Sequence, residues 1–129
     1  MILYLKTNGD TTITYEYPLE YEGYGLGLVR LDGKIKTMKN RQLFLCCDII
    51  EESYLKNKKL PILYPVIRDE NGNISCDINK VLYLKVVRPS ISSIRLYICD
   101  IKGKIVSLSK NFLDCVLLIV PRKNESSSY

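Results

Sequence analysis

The chain has no histidine and no tryptophan, and its five cysteines include no CxxC pair. Histidine is the usual base of nucleophilic catalysis, and without it a zinc site would have to be built from cysteine alone, which this spacing does not support. The sequence therefore predicts a protein that is not an enzyme and that carries no metal site and no cofactor.

Other residues that could perform chemistry are poorly arranged for it. Glu51 and Glu52 are adjacent, so on a strand their side chains diverge, whereas glycosidase carboxylates converge across a cleft. The glycines of Tyr24–Val29 lack the third glycine of a dinucleotide loop, where Arg30 stands. Asp69–Asn73 lacks the order of acidic residues found in a calcium loop. We expect no catalytic residue among them.

Long hydrophobic runs are also missing. The longest, Cys115–Val120, is far shorter than the ~18 residues of a membrane-spanning helix. Lys6 interrupts the short apolar start of the chain too early for a secretion signal. We therefore expect a protein that is neither embedded in a membrane nor secreted.

The odd number of cysteines and their positions indicate free thiols. Three of them, Cys46 or Cys47 together with Cys99 and Cys115, lie in apolar runs, so buried reduced thiols are expected rather than disulfide bonds. Cys46 and Cys47 are adjacent on a predicted strand, and their side chains should therefore point to opposite faces.

The chain is rich in tyrosine and moderately basic. Ten tyrosines stand against two phenylalanines, which suits strand faces that are half buried or that form an interface. The formal net charge is +5, and lysine and arginine are dense at Lys34–Arg41 and Lys56–Lys59, both in predicted loops. Two interpretations of these loops remain: solvated surface charge, and a surface that binds phosphate.

The strongest pattern is a series of short runs rich in leucine, isoleucine, valine and tyrosine, each closed by proline, glycine, asparagine or charge. Within 129 residues they predict a single domain. Its fold class is all-β, a single jelly-roll β-sandwich of about eight antiparallel strands. The predicted strands are Ile2–Lys6, Thr12–Tyr17, Tyr24–Leu31, Leu43–Ile50, Ile62–Tyr64, Lys80–Val87, Ser93–Asp100 and Leu113–Val120.

Turn residues predict how the strands connect. Asn8-Gly9-Asp10 predicts a hairpin between the first two strands, Pro18 should end the second, and Asp32-Gly33 should end the third. A helical turn is plausible only within Ile50–Lys59.

Leu43–Ile50 is apolar on both faces and is predicted to be a central strand. Pro61 and Pro65 place the following strand at an edge or bend it. Residues 1–121 should form the domain and residues 122–129 a flexible polar tail. The predicted core comprises Leu45, Cys47, Ile49, Leu84, Val86, Ile94, Leu96, Ile98, Leu117 and Ile119.

Three segments together carry a family pattern. They are Tyr24–Asp32 (YGLGLVRLD), Leu43–Leu63 (LFLCCDIIEESYLKNKKLPIL) and Tyr83–Gly103 (YLKVVRPSISSIRLYICDIKG). These segments resemble the penton-type, single jelly-roll minor capsid proteins of Polinton or Maverick elements and of the adenovirus-related adintoviruses. The middle segment is the most specific. The pattern departs at Tyr24, where that family has tryptophan, and at Arg30, where it has an acidic residue.

The resemblance implies a structural virion protein, a minor capsid or penton subunit. It would form homopentamers at the vertices of an icosahedral capsid, beside a double jelly-roll major capsid protein. Its location would be the virion, after assembly in the host nucleus or cytoplasm. The alternative from the residues themselves is a basic β-sandwich module that binds nucleic acid or an acidic protein through the two basic loops.

Independently of the resemblance, strands that are apolar on both faces favour self-association into a ring. Arginine and tyrosine often anchor interfaces, and arginine pairs with carboxylates. Pairing within the chain, at strand ends, is the other interpretation of the same residues. The candidate subunit contacts are Asp48, Glu51, Glu52, Tyr54, Arg88, Arg95 and Tyr97.

Overall fold

The computed structural model describes residues 2–8, 12–20, 24–35, 42–76, 78–88, 90–106 and 112–121. These residues form strands and turns, and no helix among them is long and apolar enough to cross a membrane. The strands are β1 (Ile2–Asn8), β2 (Thr12–Glu20), β3 (Tyr24–Lys34), β4 (Gln42–Cys47), β5 (Ser53–Leu55), β6 (Lys58–Leu60), β7 (Ile62–Arg68), β8 (Asn73–Ser75), β9 (Tyr83–Lys85), β10 (Ser90–Asp100), β11 (Ile105–Val106) and β12 (Phe112–Pro121).

Strand pairing follows the nested order of a jelly roll. β1 pairs with β12, β2 with β10, β3 with β9 and β4 with β7. Because β12 also pairs with β3 and β10 also pairs with β4, two antiparallel sheets result: β1-β12-β3-β9 (the first sheet) and β2-β10-β4-β7 (the second sheet). β8 pairs with both β3 and β7 and joins the sheets along one side. The predicted all-β jelly-roll sandwich is confirmed.

The core lies between the two sheets and follows the period of two expected for strands. Leu26, Leu28 and Leu117 from the first sheet belong to the same buried cluster as Leu45 and Leu96 from the second. Burial of each such side chain contributes about 1.5–3 kcal/mol. Every predicted core residue is buried except Leu84, which is half buried and packs against the cluster.

The predicted hairpin between the first two strands is wrong. β1 and β2 enter different sheets, since a jelly roll pairs the first strand with the last. Pro18 does not end β2, which continues to Glu20. It is tolerated because β2 has no ladder partner on β10 between Thr14 and Leu19, so the missing N–H of proline costs no ladder bond.

Two further turn predictions are wrong. Asp32-Gly33 continues β3, where it pairs with Asp114 and Leu113 of β12. The segment considered for a helical turn forms the β5–β6 hairpin instead, with Lys56 at a positive φ of 55° in its tight turn. Leu55 and Leu60 of this hairpin pack on the second sheet, and that burial favours the hairpin over an isolated helical turn.

Other local predictions are confirmed. β4 lies between β7 and β10, and Leu43 to Cys47 are all buried. Pro65 sits in β7 opposite Phe44 of β4, whereas β8 reaches only Ile67 and Arg68. The proline therefore lies where β7 has no ladder bond to β8. The predicted tail, residues 122–129, lies outside the described residues.

Candidate assembly surfaces

Asp48 lies directly after β4 and is held by β10. Its Oδ1 accepts a hydrogen bond from the Arg95 N–H at 2.9 Å, and its own N–H donates to the Arg95 carbonyl at 3.1 Å. Its Oδ2 lies 3.6 Å from Nη1 of Arg88. Because Arg88 is half exposed, that ion pair contributes only about 0–1 kcal/mol. The backbone hydrogen bonds therefore fix the position of Asp48.

Glu51 repeats this arrangement with β9. Its N–H donates to the Lys85 carbonyl at 2.9 Å, and its Oε1 accepts from the Lys85 N–H at 3.2 Å. Next to this pair of hydrogen bonds, Ile50 and Val86 form an antiparallel β-bridge. Since β4 belongs to the second sheet and β9 to the first, residues 48–51 close one end of the sandwich.

Of the seven candidate subunit contacts, some make contacts within the chain and others are exposed. Asp48, Glu51 and Arg88 make contacts within the chain, and the Arg95 guanidinium lies 5.1 Å from the centre of the Tyr97 ring. Glu52 and Tyr54 are exposed. Pairing at strand ends is therefore present, and the role of these residues between subunits stays a prediction.

A second, smaller cluster lies on the outer face of the second sheet. Phe44, Cys46 and Cys99 are buried there, beneath Leu55 and Leu60 of the β5–β6 hairpin. Cys47 belongs to the main core instead, so the two adjacent cysteines point to opposite faces, as predicted. The hairpin thus covers apolar surface of this sheet that would otherwise face water.

The cysteines are all free thiols. The sulfurs of Cys46 and Cys99 lie 3.7 Å apart. Their hydrogen bond raises the pKa of Cys46, with burial adding to the effect, and lowers the pKa of Cys99. Burial raises the pKa of Cys47 and of Cys115 to about 12. At neutral pH Cys47 and Cys115 are therefore protonated core residues and poor nucleophiles.

The outer face of the first sheet carries exposed apolar side chains on β1 and β9, while Arg30 of β3 lies beside Val116 and Val81 packs over Gly27. Ile2 pairs with Leu118, Leu118 with Gly27, and Gly27 with Tyr83, so one row crosses four strands. Tyr4 lies in the next row, beside Val116. We call Ile2, Tyr4, Tyr83, Val116 and Leu118 the outer apolar face.

Exposure is uneven across this face. Tyr4 is 74% exposed, Ile2 54% and Tyr83 39%, whereas Val116 and Leu118 are half buried between them. The sequence signal for this surface was β12 itself, which is apolar on both faces. The contributions of Ile2, Tyr4 and Tyr83 were missed, because which strands flank β12 cannot be read from the pattern.

The structure describes the two basic loops to different extents. Most of Lys34–Arg41 lies outside the described residues. Lys56–Lys59 forms the turn of the β5–β6 hairpin and the start of β6, where Nζ of Lys59 lies 5.3 Å from the centre of the Tyr54 ring.

Asp69 is the first residue of the segment that was compared with a calcium loop, and its carboxylate stabilises the turn in which it lies. Its Oδ1 accepts from the N–H groups of Asn71 and Asn73 at 2.9 Å, and these hydrogen bonds lower the pKa of its carboxyl group. Across the described ranges no group of three or more potential ligands could hold a metal ion.

Across the described residues the geometry therefore presents candidate surfaces for assembly. No protein-family model matches the chain, and no curated protein matches it.

Proposed function

We propose that the chain is a structural subunit that associates with copies of itself in a closed ring. In this proposal it performs no chemistry, and its outer apolar face is the contact between neighbours. The observation that carries the proposal is the exposure of Ile2, Tyr4 and Tyr83 beside the half-buried Val116 and Leu118 on one side of a well-packed sandwich. Large exposed apolar patches on soluble domains mark interaction sites.

We further propose that the ring is a pentamer and that it occupies the vertices of an icosahedral capsid, beside a double jelly-roll major capsid protein. The jelly roll is a fold of many viral capsid domains, although a fold alone does not determine function. The five-fold number and the virion location come from the sequence resemblance. Two of the resembling segments are neighbours in space, because β4 pairs with β10 and Glu51 binds Lys85.

The test is the mass of the protein in solution, measured by light scattering across a concentration series. The expected species has five times the 14.9 kDa mass of one chain. Tyr4→Ser should shift the distribution to the monomer, since it removes the most exposed ring of the outer apolar face.

Tyr54→Ser is the matched control, because Tyr54 is 71% exposed but lies on the β5–β6 hairpin, which packs on the second sheet. It should leave the mass unchanged. If Tyr54→Ser dissociates the ring and Tyr4→Ser does not, neighbouring subunits meet through the predicted contacts near the hairpin. The assignment of the subunit contact to the outer apolar face is then wrong. A strict monomer at every concentration, with no binding to a major capsid protein, would remove the capsid proposal itself.

A further inference from the structure

The β5–β6 hairpin presents a basic surface that the ring proposal does not use. Its underside is fixed to the second sheet by Leu55 and Leu60, which pack against Phe44, Cys46 and Cys99. Lys56 lies in its turn and Lys59 on its outer face, while Lys58 shares the face of Leu55 and Leu60, and all three lysines are exposed. The anchoring matters because charges on a packed hairpin are held at fixed spacings, unlike charges on a free loop.

Folding brings two more lysines to this hairpin. Gly103 lies in the turn between β10 and β11 at a positive φ of 81°. A Cβ placed on it would lie 2.9 Å from Cδ of Lys58 and 3.4 Å from Cδ1 of Leu60. Lys102 and Lys104 flank this glycine and are exposed. The hairpin and the turn therefore meet, and lysines from distant parts of the sequence become neighbours. We call Lys56, Lys58, Lys59, Lys102 and Lys104 the lysine patch.

Nearby carboxylates neutralise only a small part of the positive charge of the lysine patch. Asp100 is buried beneath the turn, where its Oδ1 accepts hydrogen bonds from the N–H groups of Lys102 and Lys104, both at 2.9 Å. It offsets one positive charge while it shapes the turn. Glu52 is exposed just before the hairpin. Within the described ranges, no lysine of the patch forms an ion pair with a carboxylate.

Tyr54 supplies a flat apolar surface beside these charges. It is 71% exposed, and Nζ of Lys59 lies 5.3 Å from the centre of its ring. Grooves for single-stranded nucleic acids combine basic groups along the backbone with aromatic rings on which bases stack. A duplex keeps its bases stacked on one another, so it would leave this ring unused.

We propose that the lysine patch and Tyr54 bind single-stranded nucleic acid without base specificity. Lysine is a point charge, whereas the usual bidentate reading of a guanine edge is made by planar arginine, and the patch contains no arginine. The phosphates would be held by the five ammonium groups and one base by the Tyr54 ring. This proposal goes beyond the ring assembly and does not depend on it.

Fluorescence anisotropy of the full chain with a labelled oligothymidine, over a series of salt concentrations, tests the proposal. Five phosphate contacts predict a slope of about −3.5 for log K against log salt, or roughly a 100-fold loss of affinity between 50 and 200 mM salt. Lys102→Gln with Lys104→Gln should reduce the slope by about 1.4 units. Tyr54→Ser should lower affinity about 5- to 150-fold at an unchanged slope.

Lys80→Gln with Lys85→Gln is the matched control, since both lysines are exposed in or just before β9 of the first sheet and lie outside the lysine patch. If this control pair changes the slope as much as Lys102→Gln with Lys104→Gln does, binding depends on the total charge of the protein. That result would overturn the proposed site. No binding at 50 mM salt would also overturn it. Tighter binding of a duplex or of an acidic peptide, with no effect of Tyr54→Ser, would show a general polyanion surface instead. Tyr4→Ser should leave the slope unchanged, because it alters the outer apolar face and not the lysine patch. The experiments can therefore reject the ring proposal and the nucleic-acid proposal separately.

Discussion

Asp48 and Arg95, which are 47 residues apart in sequence, are joined by hydrogen bonds in both directions. The Arg95 N–H donates to Asp48 Oδ1 at 2.9 Å, and the Asp48 N–H donates to the Arg95 carbonyl at 3.1 Å. The carboxylate thus continues the β4–β10 ladder beyond Cys47, at the point where β10 exchanges β4 for β2 as its main partner. Asp48, which was expected to contact another subunit, therefore stabilises strand pairing within its own chain.

Asp48→Ala should lower the free energy of unfolding by about 1–2 kcal/mol, because the Arg95 N–H loses a charged acceptor. Asp48→Asn should cost less, since an amide oxygen can still accept that bond. Urea unfolding monitored by tyrosine fluorescence gives both values. Asp32→Ala is the control: its ion pair with Arg30 joins side chains that are each 61% exposed, so its loss should be close to zero. Equal losses at both positions would contradict the ladder role of Asp48.

Gly27 has no room for a side chain. A Cβ there would lie 2.5 Å from Cγ1 of Val81, 3.0 Å from Cδ1 of Tyr83 and 3.1 Å from the Leu82 carbonyl oxygen. Gly27→Ala should therefore destabilise the protein by about 1–3 kcal/mol. Because the shortest contact is a side-chain methyl group, Val81→Ala should restore part of the loss. A double-mutant cycle of unfolding free energies measures that coupling, and strictly additive effects would place the strain elsewhere.

The sequence predicted strands and their buried faces well, and strand partners poorly. The alternation of Ile94, Leu96 and Ile98 identifies an inward face whatever strand lies beside it. Pairing of β1 with β12 is a contact between the ends of the chain, and a local turn signal such as Asn8-Gly9-Asp10 carries no information about it. Turn residues therefore suggested hairpins that the nested topology replaces.

The candidate surfaces were predictable only in part. The apolar outer side of β12 was visible in the sequence, but its neighbours Tyr4 and Tyr83 depend on pairing. The lysine patch depends on the contact between Lys58 and Gly103, which lie in segments that are distant along the chain. Composition shows how many charges a chain has, and the fold decides which of them are neighbours.

Leu60→Ala should expose the small cluster beneath the β5–β6 hairpin. Leu60 packs on the cluster that contains Cys46 and Cys99, so shortening it should increase the rate at which a maleimide labels these thiols. Cys47 and Cys115 lie in the main core, and their rates should stay unchanged. Mass spectrometry of the labelled peptides identifies each site. Leu82→Ala, at an exposed leucine, is the control. Faster labelling of all four cysteines would indicate global unfolding rather than opening of the hairpin.

Alkaline pH should destabilise the protein through its core thiols. Burial raises the pKa of Cys47 and of Cys115 from 9.0 to about 12. A thiol with a raised pKa stabilises the fold fully below its unfolded pKa, and this contribution is lost as the pH rises towards the folded pKa. Between pH 9 and 12 each thiol should therefore lower the free energy of unfolding by about 1.4 kcal/mol per pH unit.

Urea unfolding at intervals from pH 8 to 10.5 measures this slope. Cys47→Ala with Cys115→Ala should start from a lower stability, because small cavities are created. Above pH 9, however, its stability should fall less steeply than that of the unaltered chain, since two titrating groups are gone. Ionisation of tyrosine and lysine is common to both proteins and cancels in the difference between slopes. Parallel curves would show that these two thiols do not control the alkaline transition.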